Sequence, residues 1–392
     1  MSLANGYYLV NGEVFENKIH ALIKGSELNI LPEWHYFDEV FSKANKTGLG
    51  QVPLTEWYKQ RALQLRDKYD YLILNYSGGS DSHNILHTFL KNNIKLDCVY
   101  VQWHLKLTDK GLYTINSTDK SNANFHSEWD LVLKKDLEWL ASNHPNIRIE
   151  IKDWTDTLHD KFYHDSLFET KTTVMVNMSR SLKLHTFSDA EKQMANTGLK
   201  VASIFGADKP YIVVKDNKCF FNFHDKSFSA IPNPDNPNGL EYFYITPDLP
   251  QLTIEQSWHL MNYYRNNLDK QYLITAKSQR TEPGFKQWPI HKHLEEFEIM
   301  SNIAKLVCYP NWNCNRFQAS KPTPNNLNLS IPAGFKQWDN ILLGIDEFTK
   351  MNDIWQHHWN SYANQINTDW LRGGQEHVPI KSKWYYLDEF VK

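Results

Sequence analysis

Cysteine is scarce: the 392 residues contain four, Cys98, Cys219, Cys308 and Cys314. No two are spaced as C-x-x-C, and Cys308 and Cys314 do not have the spacing of a metal knuckle. A disulfide framework and a zinc ribbon are therefore not expected, and a reducing compartment fits. Long apolar runs are also missing, since none approaches the roughly 18 residues of a membrane-crossing helix. The opening MSLANGYYLVNGEVF lacks a basic segment followed by an apolar one, so no signal peptide is expected. Net charge is only −3, which gives no general attraction to nucleic acid and leaves only a local basic patch open. The word GFKQW occurs at 284–288 and again at 334–338, too little to be a solenoid repeat. These absences lead us to expect a cytosolic protein with no membrane partner.

What is present is a chain able to bury a core. It is 41% apolar, and its length leads us to expect two or three domains. GYYLVNGEVF places Asn11-Gly12 between apolar runs, a hairpin signal. PLTEWYKQRALQLRDKYD predicts a helix with Thr55 as N-cap and Tyr58, Ala62 and Leu65 on its buried face. Four apolar runs, YLILNY, LDCVYVQW, IRIEI and KVASIFG, read as buried strands. Amphipathic stretches separate them: SHNILHTFLKNN, SEWDLVLKKDLEWLASN, TVMVNMSRSLKLHTF and KQMANTG. Alternation of this kind predicts an α/β protein with an open parallel sheet. Right-handed crossovers then put every strand's C-terminal end on one edge.

After residue 210 the texture changes. YIVVKDNKCFFNFHDKSF predicts a hairpin turning at Asp216-Asn217, and the remainder is rich in Trp, Tyr, Asn and Pro. Helices are expected near 253–268, 291–306 and 352–366. The division expected is an N-terminal hairpin and cap over 1–53, a sheet domain over 54–215, and a mainly helical, aromatic-rich C-terminal region over 216–392.

Between the first buried strand and its helix lies Ser77-Gly78-Gly79-Ser80-Asp81-Ser82. Parallel sheets gather ligands at this edge, where a helix N-terminus presents unpaired N–H groups. Gly78 and Gly79 permit a tight turn and close approach by a phosphate. Ser77, Ser80 and Ser82 offer hydroxyls. Asp81 would repel a bare phosphate, which suggests a bridging Mg²⁺. The spacing is not that of a Walker A loop, whose lysine is also missing.

SGGSDS in this setting resembles the PP-loop of the ATP pyrophosphatase superfamily, which includes asparagine, GMP and NAD synthetases. The resemblance implies an adenine nucleotide α-hydrolase-like, Rossmann-like domain that binds ATP and Mg²⁺. It implies cleavage between the α and β phosphates, AMP passing to a carbonyl oxygen, and displacement by an amine, ammonia or sulfur nucleophile. A second segment, Gly206-Ala207-Asp208-Lys209, resembles the Gly-Ala-Asp-Glu of asparagine synthetases. Asp208 thereby takes a metal–pyrophosphate role beside Asp81, with Gly206 at the turn. Lys209 stands where those enzymes have Glu, and could balance the pyrophosphate charge or be a solvated loop lysine; Phe205 stands where they have the Glu of their amide chemistry. Asparagine formation itself is thus not implied. Gln102 and Trp103 fall where the superfamily holds adenine, although core packing explains Trp103 equally well. Arg180 and Lys183 lie one turn apart and read first as a solvated face.

Most of the chain is similar to PP-loop proteins of large tailed phages, through YDYLILNYSGGSDS, GADKPYIVVKDNKCFFNFHD, EYFYITPDLPQLTIEQSWHL and YPNWNCNRFQASKP. A phage protein would act in the host cytoplasm. In the last of these words Arg316 and Lys321 could bind the acceptor or close over ATP, or belong to an ordered surface loop. The expected activity is an adenylating, ligase-type ATP pyrophosphatase. Two alternatives stay open: a sulfur-transfer or adenylylsulfate-reductase relative, which would want a reactive cysteine, and a non-catalytic nucleotide-binding assembly protein.

Overall fold

The computed structural model describes residues 4–103, 129–153, 187–206, 209–228, 230–266, 296–298, 301–310, 364–367, 370–372, 376–377 and 380–390. The chain opens with β1 (Tyr7–Val10) and β2 (Glu13–Phe15), joined by the expected turn. Asn11 and Gly12 both have positive φ, 48° and 86°, the backbone twist a two-residue hairpin requires. Helix α1 (Lys18–Leu28) follows, capped by Asn17, whose side chain accepts from the amides of Ile19 and His20. Strand β3 (Glu33–His35) pairs with β1, and a short helix, α2 (Asp38–Lys43), leads out of this three-stranded sheet.

Helix α3 (Leu54–Lys68) buries Tyr58, Ala62 and Leu65 as its spacing predicts. Its first residue is Leu54, Pro53 occupies the cap position, and no side chain caps it. Thr55 therefore lies inside the first turn and is not the N-cap. Proline suits this start because its missing N–H and fixed φ cost nothing there. Next come β4 (Tyr71–Asn75), α4 (Ser80–Lys91), β5 (Cys98–Trp103), β6 (Arg148–Asp153) and β7 (Val201–Phe205). All four strands are those the apolar runs predict. The helix Lys134–Asn143 precedes β6, and the helix Asp189–Asn196 precedes β7. Of the stretch 173–187, expected to be helical, residues 173–186 lie outside the described residues, and Phe187 is not helical.

Beyond β7, the strands β8 (Tyr211–Lys215) and β9 (Lys218–Asn222) form the second predicted hairpin. Its turn residues Asp216 and Asn217 have φ of 50° and 58°. Strand β10 (Leu240–Tyr242) then returns to pair in parallel with β7. The main sheet runs β10-β7-β4-β5-β6, with every pair parallel. It is an α/β sheet compatible with a Rossmann-like domain. The order reverses between β4 and β7, which makes the gap at their C-terminal ends the switch point.

Alternation along the strands sorts the two faces. Leu72, Leu74, Val99, Val101, Ala202 and Ile204 enter the large core beneath α3, α4 and the helix Pro250–Arg265. Tyr71, Ile73, Cys98, Tyr100 and Val201 form a smaller cluster beneath the helix Asp189–Asn196. The region after 215 mixes helix and strand among its described residues. The helices Pro250–Arg265 and Ser301–Cys308 are present, but 296–298, inside the helix expected over 291–306, is instead β11 (Glu296–Glu298), drawn into strand form by pairing with β8. β9, β10, the ribbon β12 (Leu371–Arg372) and β13 (Glu376–His377), and β14 (Tyr385–Glu389) add further strands. The sheet β11-β8-β9-β14 accounts for much of this, and short strands drawn from distant segments leave little local signal. Residues 352–363 lie outside the described residues.

One side chain on the buried face of α3 is charged. Arg61 is fully buried and donates to Glu241 (2.7 Å) and to the carbonyl of Tyr242 (3.0 Å), tying α3 to β10. Lys68 (2.8 Å) and Tyr69 (2.5 Å) also donate to Glu241. Burial pushes the Glu241 carboxyl up, but Arg61, Lys68 and Tyr69 outweigh it and the net shift is downward. A carboxyl held below its unfolded value contributes stability above that value, about 4.3 for Glu, and loses it as pH falls through the folded value. We therefore expect the urea midpoint to fall on acidification below about pH 4.3. A Glu241→Gln variant should be less stable at pH 7 and show a shallower acid slope. An unchanged slope would remove this network from the acid response.

Candidate functional site

The site begins where β4 ends. The Tyr76 amide still pairs with the Tyr100 carbonyl (2.8 Å), and the chain then leaves the sheet. Gly78 has φ +72° and packs on Leu133, so a side chain there would be strained and would also crowd that leucine. The loop closes on itself through serines. The Ser77 amide donates to Ser82 Oγ (3.1 Å), Ser82 Oγ donates to the Gly79 carbonyl (3.3 Å), and the Gly79 amide donates to Ser77 Oγ (3.3 Å). Ser80 and Ser82 are buried, while Ser77 is exposed. The hydroxyls of Ser77 and Ser82, 3.2 Å apart, thus both hold the loop's shape. Ser80, Asp81 and Ser82 form the first turn of α4, whose amides have no intrahelical acceptor.

Asp81 is the meeting point of three distant segments. Its Oδ1 accepts from Lys209 Nζ (2.5 Å) and from the Tyr309 hydroxyl (2.6 Å). Its main-chain carbonyl accepts from the Tyr244 hydroxyl (2.7 Å), which in turn accepts from Asn84 Nδ2 (3.1 Å). A Cβ on Gly206 would lie 2.8 Å from Asp81 Cβ, so the glycine that ends β7 lets α4 start against it. Lys209 is almost fully buried, at 3% exposure, whereas the Asp81 side chain keeps 26%. Lys209 Nζ also lies 4.9 Å from the centre of the Tyr309 ring. Burial first, and the Asp81 charge second, push the Tyr244 and Tyr309 hydroxyls well above the usual tyrosine value. Both therefore stay protonated and serve as donors.

Gln102 and Trp103 point to opposite faces of β5, as neighbours in a strand must. Gln102 lines a cavity of about 190 Å³ with Asn75, Tyr100, Glu191, Ser203 and Phe205. Trp103 stacks on Trp129 at 5.8 Å and packs against the large core, which is the packing role its sequence position left open. Glu191 is buried in that cavity wall, accepts from Asn236 (2.9 Å), and has its carboxyl pushed up by burial. Behind the loop the Tyr76 hydroxyl donates to Asp136 and lies 3.2 Å from His83 Nδ1. Asp208, Arg180, Lys183, Arg316 and Lys321 lie outside the described residues.

Three side chains at this edge have no sequence signal of their own: Tyr244, Tyr309 and Glu191. Tyr309 comes nearest to having one, because it opens the aromatic and polar segment YPNWNCNRFQASKP. Cys98, Cys219 and Cys308 are all buried, and burial pushes each thiol up to about 12. That is the reverse of what a reactive thiolate needs.

Chemically, the arrangement gathers at a sheet switch point a glycine turn, first-turn amides, a buried ammonium and one carboxylate, groups able to receive an oxyanion. No protein-family model, no curated protein and no solved structure matches the chain.

Proposed function

We propose that the protein is an ATP pyrophosphatase of the PP-loop kind, which adenylates a carbonyl-containing acceptor and releases pyrophosphate. The reading rests on one observation above all: at the switch point of a parallel sheet, the glycine turn delivers Asp81 to the first turn of α4 against buried Lys209. The polyphosphate lies over the first-turn amides, and the cavity beside Gln102 and Asn75 takes the nucleoside end.

The residues suit Mg²⁺ that comes with a nucleotide. Among the described residues no three acidic, His or Cys side chains cluster. One or two carboxylates with phosphate oxygens and water are how Mg²⁺ is usually held. Asp81 Oδ2, which accepts from Ser80 Oγ (3.4 Å), would meet it, with Asp208 the expected second carboxylate. When bound, the ion offsets negative charge on the phosphate oxygens.

The acceptor's carbonyl oxygen attacks the α-phosphorus. The bond from that phosphorus to the bridging oxygen breaks, and pyrophosphate leaves with the electron pair. Lys209 and the loop amides stabilise the charge that develops on it. An amine, ammonia or sulfur nucleophile then adds to the activated carbon and AMP leaves. The assay follows radiolabelled ATP with the purified protein and a crude extract as the source of acceptor. Labelled pyrophosphate and AMP in equal amounts support the reading. ADP and phosphate as products would overturn it.

A further inference from the structure

We infer that Lys209 is the site's internal counter-ion, held on Asp81 until a polyphosphate takes it, and that Tyr309 keeps Asp81 aimed once the lysine has left. The inference rests on the nucleotide reading above and deepens it.

A buried ammonium needs an anion beside it. Asp81 supplies one at 2.5 Å, and Lys209 is only 3% exposed. The partner is unequal to it, because the carboxylate is partly open and faces the edge where α4 begins. Lysine is a point charge on a flexible four-carbon stem, so it can change partners without moving the backbone. A polyphosphate over the first-turn amides carries several negative charges and competes with one carboxylate for that stem.

Tyr309 is placed to make the exchange orderly. Its hydroxyl donates to the same Oδ1 that Lys209 holds, at 2.6 Å, and its ring lies under the ammonium at 4.9 Å. When the lysine swings away, this hydrogen bond stays. Tyr309 is itself fixed: its ring packs on Tyr244 at 5.0 Å, and Tyr58, 6.4 Å from it, donates to the neighbouring Cys308 carbonyl. It is a positioning residue, and it comes from the far end of the chain. The lysine's departure leaves Asp81 charged, which suits it to a cation arriving with the nucleotide. Coupling of this kind is reciprocal. The carboxylate that waits for the metal also holds the lysine back from the phosphate.

The test is calorimetric titration of the full chain with an α,β-methylene ATP analogue, first in EDTA and then in Mg²⁺. In EDTA, Asp81→Asn should bind the analogue about tenfold tighter than the parent, because the lysine is released. In a Lys209→Met background the same change should give no gain, and Lys209→Gln provides a second background if Met folds poorly. Simple repulsion between Asp81 and phosphate predicts the opposite, a gain that persists or grows without the lysine, and that result would overturn the inference. Tyr309→Phe keeps the ring and loses only the hydroxyl. It should leave affinity in EDTA unchanged but weaken the Mg²⁺-dependent part about tenfold. An unaltered Mg²⁺ dependence removes the positioning role, and a lower unfolding midpoint alone marks a structural one. If the parent binds no analogue in either buffer, the proposed function and this inference both fail. Binding in Mg²⁺ with an additive cycle in EDTA overturns only the inference.

Discussion

Asp81→Asn should lower pyrophosphate release by roughly 100- to 1,000-fold, the range for removing one preorganised group from a charged transition state. The amide is nearly isosteric and can still accept from Tyr309. It carries no charge, however, so it can neither draw a cation to the phosphates nor balance Lys209. Asp81 lies in the first turn of α4, at 26% exposure and paired with a lysine at 3%. Losing a hydrogen bond between charged groups costs about 1.5–3 kcal/mol, with the lower end apt for a partly exposed carboxylate. The variant should thus be folded but less stable, and turnover must be measured well below its unfolding midpoint. Full activity in a folded Asp81→Asn protein would remove Asp81 from the chemistry.

The second large effect is on folding. Lys18→Met should destabilise the chain by about 3–5 kcal/mol, read as a drop in the denaturant midpoint. Lys18 and Asp225 form an ion pair with side chains 1% and 0% exposed. Asp225 also accepts from the Tyr8 hydroxyl (2.8 Å) and the Ile380 amide (3.1 Å). One carboxylate therefore ties β1, α1, the hairpin region after β9 and the C-terminal segment together. Removing the lysine alone leaves a buried charge short of its partner. Replacing both members with apolar residues should recover part of the loss, because the desolvation cost disappears with the charges. A Lys18→Met protein within 1 kcal/mol of the parent would mean that the pair contributes little to stability.

Much of this protein was legible because its signals are local. Four of the main sheet's five strands are short apolar runs, and both hairpins announce themselves through turn residues that tolerate positive φ: Asn11-Gly12 and Asp216-Asn217. The loop at 77–82 was legible for the same reason, since a glycine pair between a strand and a helix-period pattern is a contiguous word. Thr55 shows the limit even there, because a cap is the residue just before the first helical one, Leu54, and Pro53 holds that position.

What the sequence by itself determined, then, is the strand–loop–helix unit, the parallel α/β sheet and the candidate role of Asp81. Only the tertiary structure decided what surrounds that residue. β10 joins the sheet from beyond residue 239, Arg61 finds Glu241 at a separation of 180 residues, and Asp81 meets Lys209 across 128 and Tyr309 across 228. Such pairings leave no period or spacing to read, because nothing in a chain's local conformational preferences depends on a residue so far along it. They arise when burial leaves a charged or hydroxyl group in need of a partner, and the partner is whichever side chain the packed layers bring within hydrogen-bond reach.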